Sequence, residues 1–357
     1  MFTPLRTNYL QDVALWPDSP LYRIIFFLIA LLAIANPFFL DTFFLGELTL
    51  FVIYSGIGCS LVFLTGYGGL VSLGQAAFLA IGAYAHSFFL TNGIPFYLSL
   101  LLTIGVSTLC GFTLSYPIRH LKGVYLSIAT LALSVLVQEL CMRWHSVTGG
   151  LRGLIVPNII EDHRWEVTYF YFICIIALAL LLFCLNNLLR TPRGRALIAI
   201  RDAELSGQAL GINVGRTRVF AFAITSAATG LFGALLAHKM QFLTPEAFSP
   251  MFSIQLLLMV IIGGMYSFYG GFLGAAIVLQ IPQIISWLKD TLPRQVTDTP
   301  GLEPGLFGLI LIFFILVEPL GIYGRWTKIR VFFESFPLYR KGTFDRQHNY
   351  ASTERIH

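Results

Sequence analysis

Charged residues are scarce in this chain of 357 residues. Asp, Glu, Lys and Arg together make up 11% of it, whereas hydrophobic residues make up 56%. Soluble globular domains carry roughly 25% charged residues, so this composition excludes that class. Because about 20 helical residues cross the hydrocarbon core of a bilayer, a chain of this length can supply many crossings.

Cysteine is also sparse, and the spacing of the cysteines argues against disulfide bonds and metal sites. The cysteines are odd in number, lie in or beside apolar stretches and form no CxxC pair. We interpret them as small hydrophobic residues rather than as disulfides or metal ligands. They are Cys59, Cys110, Cys141, Cys174 and Cys184.

Two sequence signatures of catalysis are absent. The chain has no G-x-x-x-x-G-K-[ST] phosphate-binding loop, so we expect no ATP hydrolysis by this chain and no cofactor. A metal enzyme needs His, Asp or Glu clustered at ligand spacing. The loop that carries His145 and His163 is the one candidate, and it has no HExxH pattern. The sequence therefore favours a protein without enzymatic activity over a membrane-embedded enzyme.

Ionisable residues are missing from the middle of the apolar stretches. Glu139, Glu318, His86 and His238 all lie near predicted ends of these stretches. An ion-coupled or proton-coupled carrier needs a carboxylate or a charged pair in mid-span. A secondary transporter is therefore the less favoured class, although it stays open.

About ten apolar stretches fill the chain, most of them long enough to cross a bilayer. They predict an all-α polytopic membrane protein. Ten spans divided five and five would place the two halves in opposite orientations, as in transporters built from inverted repeats. The predicted spans are 23–40, 48–64, 73–90, 96–116, 123–140, 167–188, 217–238, 251–264, 271–287 and 305–323.

The basic residues predict the orientation of these spans. With the N-terminus in the cytoplasm, most of the 23 Lys and Arg residues fall on the cytoplasmic side, as the positive-inside rule requires. This arrangement gives a cytoplasmic segment 1–22, a transmembrane domain 23–324 with a cytoplasmic loop 190–216, and a basic cytoplasmic tail 325–357. The net charge of +5 then follows from topology and does not indicate nucleic-acid binding.

The segment 65–78 places glycines and polar residues where a plain spanning helix would have leucine and isoleucine. Irregular backbone in a membrane is tolerated only where it faces protein or a water-filled path. A bend, a re-entrant element and close helix packing all remain open. On the functional alternative, Ser72 and Gln75 line a translocation path, and Gln255 joins them as an uncharged polar residue in a later span.

A second glycine-rich break, 263–274, separates the eighth and ninth predicted spans. It follows span eight, whereas the first break follows span two. The two breaks therefore do not match in order, and the inverted repeat is a prediction from the span count.

The basic segment between the sixth and seventh spans predicts a short helix. Asp202 is expected to cap residues 203–210 at the N-terminus, and Gly211 to end the helix. Leu205, Ala209 and Leu210 would give it an apolar surface. Such a helix between two spans is a suitable docking element for a soluble partner, the alternative being an ordinary charged loop.

Five motifs occur in a distinctive order in this sequence. Together they resemble the permeases of the branched-chain amino acid ABC importer family, LivM-type subunits, over roughly residues 48 to 323. The motifs are GYGGLVSLGQAAF at 66–78, LKGVYLSIAT at 121–130, the turn 148–150, the stretch 194–214 and SIQLLLMVIIGG at 253–264.

The resemblance implies a bacterial inner-membrane permease that works with several partners. These are a second, LivH-like permease, two cytosolic subunits that bind ATP, and a periplasmic substrate-binding protein. The segment 202–210 would be the helix that couples to the ATPase, through Asp202, Glu204, Leu205, Ala209 and Gly211.

The match to the family is imperfect at this helix, and the substrate stays open. Glu204 and Gly211 are one residue further apart than in the EAA-x-x-x-G pattern, and Leu205 and Ser206 replace its two alanines. Permeases for urea and short amides look similar along most of the same motifs, so they are the alternative substrate class.

Overall fold

Helices dominate the part of the chain that the structure describes. A computed structural model describes residues 33–37, 39–121, 123–157, 163–291 and 321–335, with the single residues 305, 308, 309, 312 and 316. The helices are α1 (Thr42–Val62), α2 (Gln75–Thr91), α3 (Phe96–Ile118), α4 (Val124–Arg143), α5 (His145–Thr148), α6 (His163–Arg190), α7 (Pro192–Asp202), α8 (Glu204–Ala209), α9 (Val214–Met240), α10 (Pro250–Gly263), α11 (Phe268–Thr291) and α12 (Gly321–Ser335).

Helices α1 and α9 form the centre of the fold. Helix α9 packs against α1, α2 and α3, and α1 also packs against α6 and α11. Ile57 of α1 and Phe232 of α9 have no exposed surface. These two helices are apolar around most of their circumference, as expected for helices surrounded by others.

The outer helices expose a broad apolar surface. Large hydrophobic side chains on α3, α4 and α6 point outwards, among them Leu101, Phe112, Leu136, Leu180 and Phe183. A contiguous surface of this kind is unfavourable in water, whereas in a bilayer it faces lipid tails. The packing therefore agrees with the membrane class that the composition predicts.

The membrane-crossing helices are fewer in the described residues than in the sequence prediction. Within those residues, five helices are long and apolar enough to cross a membrane, and α10 with α11 would make a sixth if that bent pair is one span. Helix α2 matches the third predicted span but has 17 residues. The first and tenth predicted spans, 23–40 and 305–323, lie mostly outside the described residues. The all-α polytopic fold is confirmed, and the number of ten spans stays a prediction.

The two ends of α9 carry different structures. Helix α8 precedes its N-terminus, and the short strand β2 (Phe242–Leu243) follows its C-terminus. Strand β2 pairs antiparallel with β1 (Leu154–Ile155), in the register Leu154 to Leu243. Because a helix of 27 residues is about 40 Å long, this small sheet lies at the opposite end of α9 from α8.

Candidate functional site

The basic segment forms two helices joined by one extended residue. Helix α7 begins at Pro192, and the Thr191 hydroxyl accepts a hydrogen bond from the Gly194 N–H at 3.3 Å. It continues through Asp202. Ala203 then adopts φ −154° and ψ 92° and precedes α8, so the chain turns sharply at that residue.

The prediction that Asp202 caps the docking helix was wrong. Asp202 is the last residue of α7, and its carboxylate binds the Arg201 side chain at 2.7 Å. The residue at the N-cap position is Ala203, whose side chain cannot cap. The segment folds this way because α8 packs back on α7, with Gly207 buried close to Ile200.

The end of α8 follows the prediction. The N–H of Gly211 donates to the Gln208 carbonyl at 2.9 Å, and the N–H of Ile212 donates to the Gly207 carbonyl at 3.1 Å. This is a Schellman motif, which needs a left-handed residue after the helix. Gly211 supplies it with φ 82°.

Helix α8 exposes an apolar face. The side chains of Leu205 and Leu210 are 79% and 80% exposed, and Ala209 is exposed between them in sequence. We call Leu205, Ala209 and Leu210 the docking face. Two large exposed apolar side chains, one on α8 and one on the residue that ends it, are typical of a protein contact surface.

Glu204 lies on the inner side of α8 rather than on the docking face. Its carboxylate binds the Arg218 guanidinium at 3.0 Å, and the two side chains are 22% and 8% exposed. Arg218 also donates to the carbonyls of Arg119 and Leu121 at 3.2 and 3.1 Å. The pair therefore fixes α8 to the start of α9 and to the chain that follows α3.

Glu204→Ala is expected to destabilise the protein by about 2 kcal/mol, because it removes a hydrogen-bonded charge from a buried guanidinium. The measurement is denaturant unfolding of the purified protein in detergent. Glu246→Ala, at an exposed residue near the other end of α9, is the control and should change stability by less than about 0.5 kcal/mol. Equal losses for the two variants would contradict a structural role for the pair.

The first glycine-rich segment interrupts the helical structure, which is one of the alternatives that its sequence left open. Helix α1 runs into a π-helical turn, Phe63–Tyr67, and residues 68–74 are not helical before α2 begins at Gln75. Two side chains of α4 bind this backbone: Thr130 accepts from the Leu73 N–H at 2.9 Å, and Ser134 donates to the Leu73 carbonyl at 2.9 Å. Both backbone groups of Leu73, which have no helical partner in the break, are thus satisfied within the protein.

The three predicted path residues occupy different positions. Ser72 and Gln75 are fully buried. The Ser72 hydroxyl accepts from the Gly74 N–H at 3.2 Å, and the side-chain amide oxygen of Gln75 accepts from the Thr229 hydroxyl of α9 at 2.9 Å. Gln255 is half-buried on α10, whose Ser253 accepts from the Ala76 N–H at 2.9 Å.

The second glycine-rich segment is also a break, and it contacts the first. Helices α10 and α11 are bent by 117° across it. A β-carbon at Gly66 would overlap the carbonyl oxygen of Met265, so the two backbones touch. The rings of Tyr67 and Phe268 lie 5.1 Å apart, and this ring contact continues the packing between the breaks.

Arg201 and Arg218 are the site residues that sequence reasoning missed. Arg201 lies in the loop 190–216 and Arg218 just after it, and in the sequence both contributed only to the predicted orientation. The only local signal was the adjacency of Arg201 to Asp202, whereas Arg218 is 14 residues from Glu204 and no local pattern indicates that pair. Together with the two breaks, they define a polytopic helical membrane protein in which a short helix with an exposed apolar face is linked to two interrupted spans.

Comparison with known proteins identifies the family. Residues 43–316, more than half of the chain, match the family described as "Branched-chain amino acid transport system / permease component". The chain belongs to this family, and the resemblance drawn from its motifs is confirmed.

Individual relatives agree with this assignment. The chain is 33% identical over 284 residues to the high-affinity branched-chain amino acid transport system permease protein LivM of Salmonella typhimurium, and 32% identical to that of Escherichia coli. Each match covers 71% of this chain and 66% of the relative, just under two thirds of its length. A probable LivH permease of Methanocaldococcus jannaschii is 25% identical over 78% of this chain. No solved structure matches the chain.

Proposed function

We propose that this chain is the inner-membrane permease subunit of an ATP-driven importer for branched-chain amino acids. The observation that carries the proposal is the docking face, Leu205, Ala209 and Leu210, exposed at the end of a membrane domain of the matching family. An apolar helix face outside the spans needs a soluble partner. ATP would be bound by that partner, and the permease would supply the path.

The proposed partners are two cytosolic ATP-binding subunits, a LivH-like second permease and a periplasmic binding protein. On this proposal Leu205 and Ala209 contact the ATPase. Glu204 orients α8 from its inner side through Arg218. Asp202 holds Arg201 at the end of α7, and Gly211 ends α8.

The proposed translocation path includes Ser72, Gln75 and Gln255. Ser72 and Gln75 have no exposed surface in this conformation, so opening a path past them requires the first break to rearrange. Broken helices near a path are common in transporters built from inverted repeats, and ten spans in two inverted halves stay part of the proposal.

The test is uptake of labelled leucine, isoleucine, valine and urea by a strain that lacks the chain, before and after it is restored. Restored leucine uptake that stops when ATP is depleted supports the proposal. Restored uptake of urea alone would indicate that the substrate is urea or a short amide. Uptake that persists without ATP and follows an ion gradient would indicate a secondary carrier.

The proposed orientation places α8 in the cytoplasm and the β1–β2 end outside. A cysteine at Ser206, exposed on α8, should react with an impermeant thiol reagent only after the inner membrane is opened. A cysteine at Leu151, which is exposed beside β1, should react in intact spheroplasts. The background is Cys184→Ser, because Cys184 is the native cysteine that is exposed. The reverse labelling pattern would overturn the orientation.

A further inference from the structure

One side chain of helix α7 contacts both glycine-rich breaks. Arg201, in the last turn of α7, donates from Nη1 to the Gly66 carbonyl at 2.8 Å. Its guanidinium carbon lies 5.8 Å from the ring centre of Tyr266 in the second break. In sequence, Arg201 lies two residues before Ala203, where the chain turns into α8.

The Gly66 carbonyl accepts the hydrogen bond from Arg201 at the point where helix α1 breaks. The following N–H groups, of Gly68, Gly69 and Leu70, donate to Phe63, Thr65 and Leu64. An irregular turn of this kind leaves carbonyls that need partners from elsewhere. Arg201 supplies the partner for Gly66, so its side chain holds one particular conformation of the break.

The fit between Arg201 and the first break is close. Gly69 has φ 64°, and a β-carbon there would lie 2.8 Å from Cγ of Arg201 and 3.4 Å from its Cα. Bulk at Gly69 is thereby excluded on the side that faces α7. The backbone of the break and the stem of Arg201 are therefore packed directly against each other.

Asp202 sets the direction of the guanidinium. Its Oδ1 accepts from Nε of Arg201 at 2.8 Å and from Nη2 at 2.7 Å, and this leaves Nη1 aimed at Gly66. A planar guanidinium held by a carboxylate is better oriented than an ammonium at the end of a flexible chain. The side chain is 25% exposed, so the link is partly shielded from water.

We propose that Arg201 is the positioning residue that transmits movement of α8 to the two glycine-rich breaks. This inference rests on the proposed function, since α8 is taken as the ATPase contact. Docking moves α8, and α7 moves with it because Gly207 of α8 packs on Ile200 of α7. Arg201 carries this shift to Gly66 and Tyr266, which lie where the two interrupted spans touch.

The test uses the complete transporter, reconstituted in liposomes with its ATP-binding subunits and binding protein. Uptake of leucine and hydrolysis of ATP are measured in the same preparation for Arg201→Met, Arg201→Lys and Arg195→Met. Arg195 is exposed in the same helix, so its variant is the control for loss of one positive charge from α7.

We expect Arg201→Met to assemble and hydrolyse ATP while leucine transported per ATP falls about tenfold. Arg201→Lys should recover part of the ratio, because it keeps a charged donor without the planar fork, and Arg195→Met should match the unmodified protein. A purely structural role would lower uptake and hydrolysis in parallel. That parallel loss in Arg201→Lys, or an unchanged ratio in Arg201→Met, would overturn the inference. If the unmodified transporter shows no ATP-dependent leucine uptake, the proposed function fails instead.

Discussion

Leu205→Asp combined with Leu210→Asp is expected to abolish ATP-driven uptake while the protein still inserts and folds. Both side chains are about four-fifths exposed, so the substitutions remove little packing within the chain. On the proposed function, however, they become buried on docking, and an unpaired carboxylate in an apolar contact is strongly unfavourable. Two such changes in the centre of an interface should weaken the complex by at least about 100-fold.

The measurement is co-purification of the ATP-binding subunits with tagged permease, followed by uptake in liposomes. Leu205→Met with Leu210→Met is the matched control, since it keeps an apolar face of similar volume, and it should retain both binding and uptake. Normal co-purification of the aspartate variant would show that α8 is not the docking helix. Loss of the variant from the membrane would instead show that these side chains stabilise the fold.

The composition and the glycine-rich patterns predicted the larger features of this protein. Scarce charge predicted a helical membrane domain. The glycines at 65–78 and 263–274 indicated where the backbone could depart from a straight helix, and such departures must face protein or a water-filled path rather than lipid. Gly211 predicted the end of α8 for a local reason, since glycine adopts the left-handed conformation without strain. Each of these predictions depends on residue type alone or on neighbours in sequence.

The finer parts of the site depend on neighbours in space. Ala203 is a strong helix former, yet it is extended, because the pairing of Glu204 with Arg218 of α9 and the packing of Gly207 on Ile200 position α8. Asp202 was expected to cap a helix and instead holds Arg201. The contact of Arg201 with Gly66 spans 135 residues, and no local pattern in a single sequence reports a contact of that separation.

Close helix packing, one of the alternatives left open for segment 65–78, is clearest at a glycine just beyond it, Gly82, where α2 crosses α9. A β-carbon at Gly82 would overlap the carbonyl oxygen of Gly230 and lie 2.6 Å from its Cα. Small residues allow this approach in membrane proteins, where the close contact itself drives association. The atoms in the way are backbone, so no rotamer change relieves the overlap.

Gly82→Val is therefore expected to destabilise the protein by about 3 kcal/mol or more, which corresponds to a fall of about 10 °C in melting temperature, with loss of uptake. Gly105→Val is the matched control: this glycine is exposed on α3 and a β-carbon there meets nothing within 4 Å. The measurement is thermal unfolding of both variants in the same detergent. A Gly82→Val protein as stable as Gly105→Val would mean that α2 and α9 can separate. The crossing would then not be a rigid part of the fold. A large loss at Gly82 alone would instead identify the crossing as the fixed frame against which the two breaks rearrange.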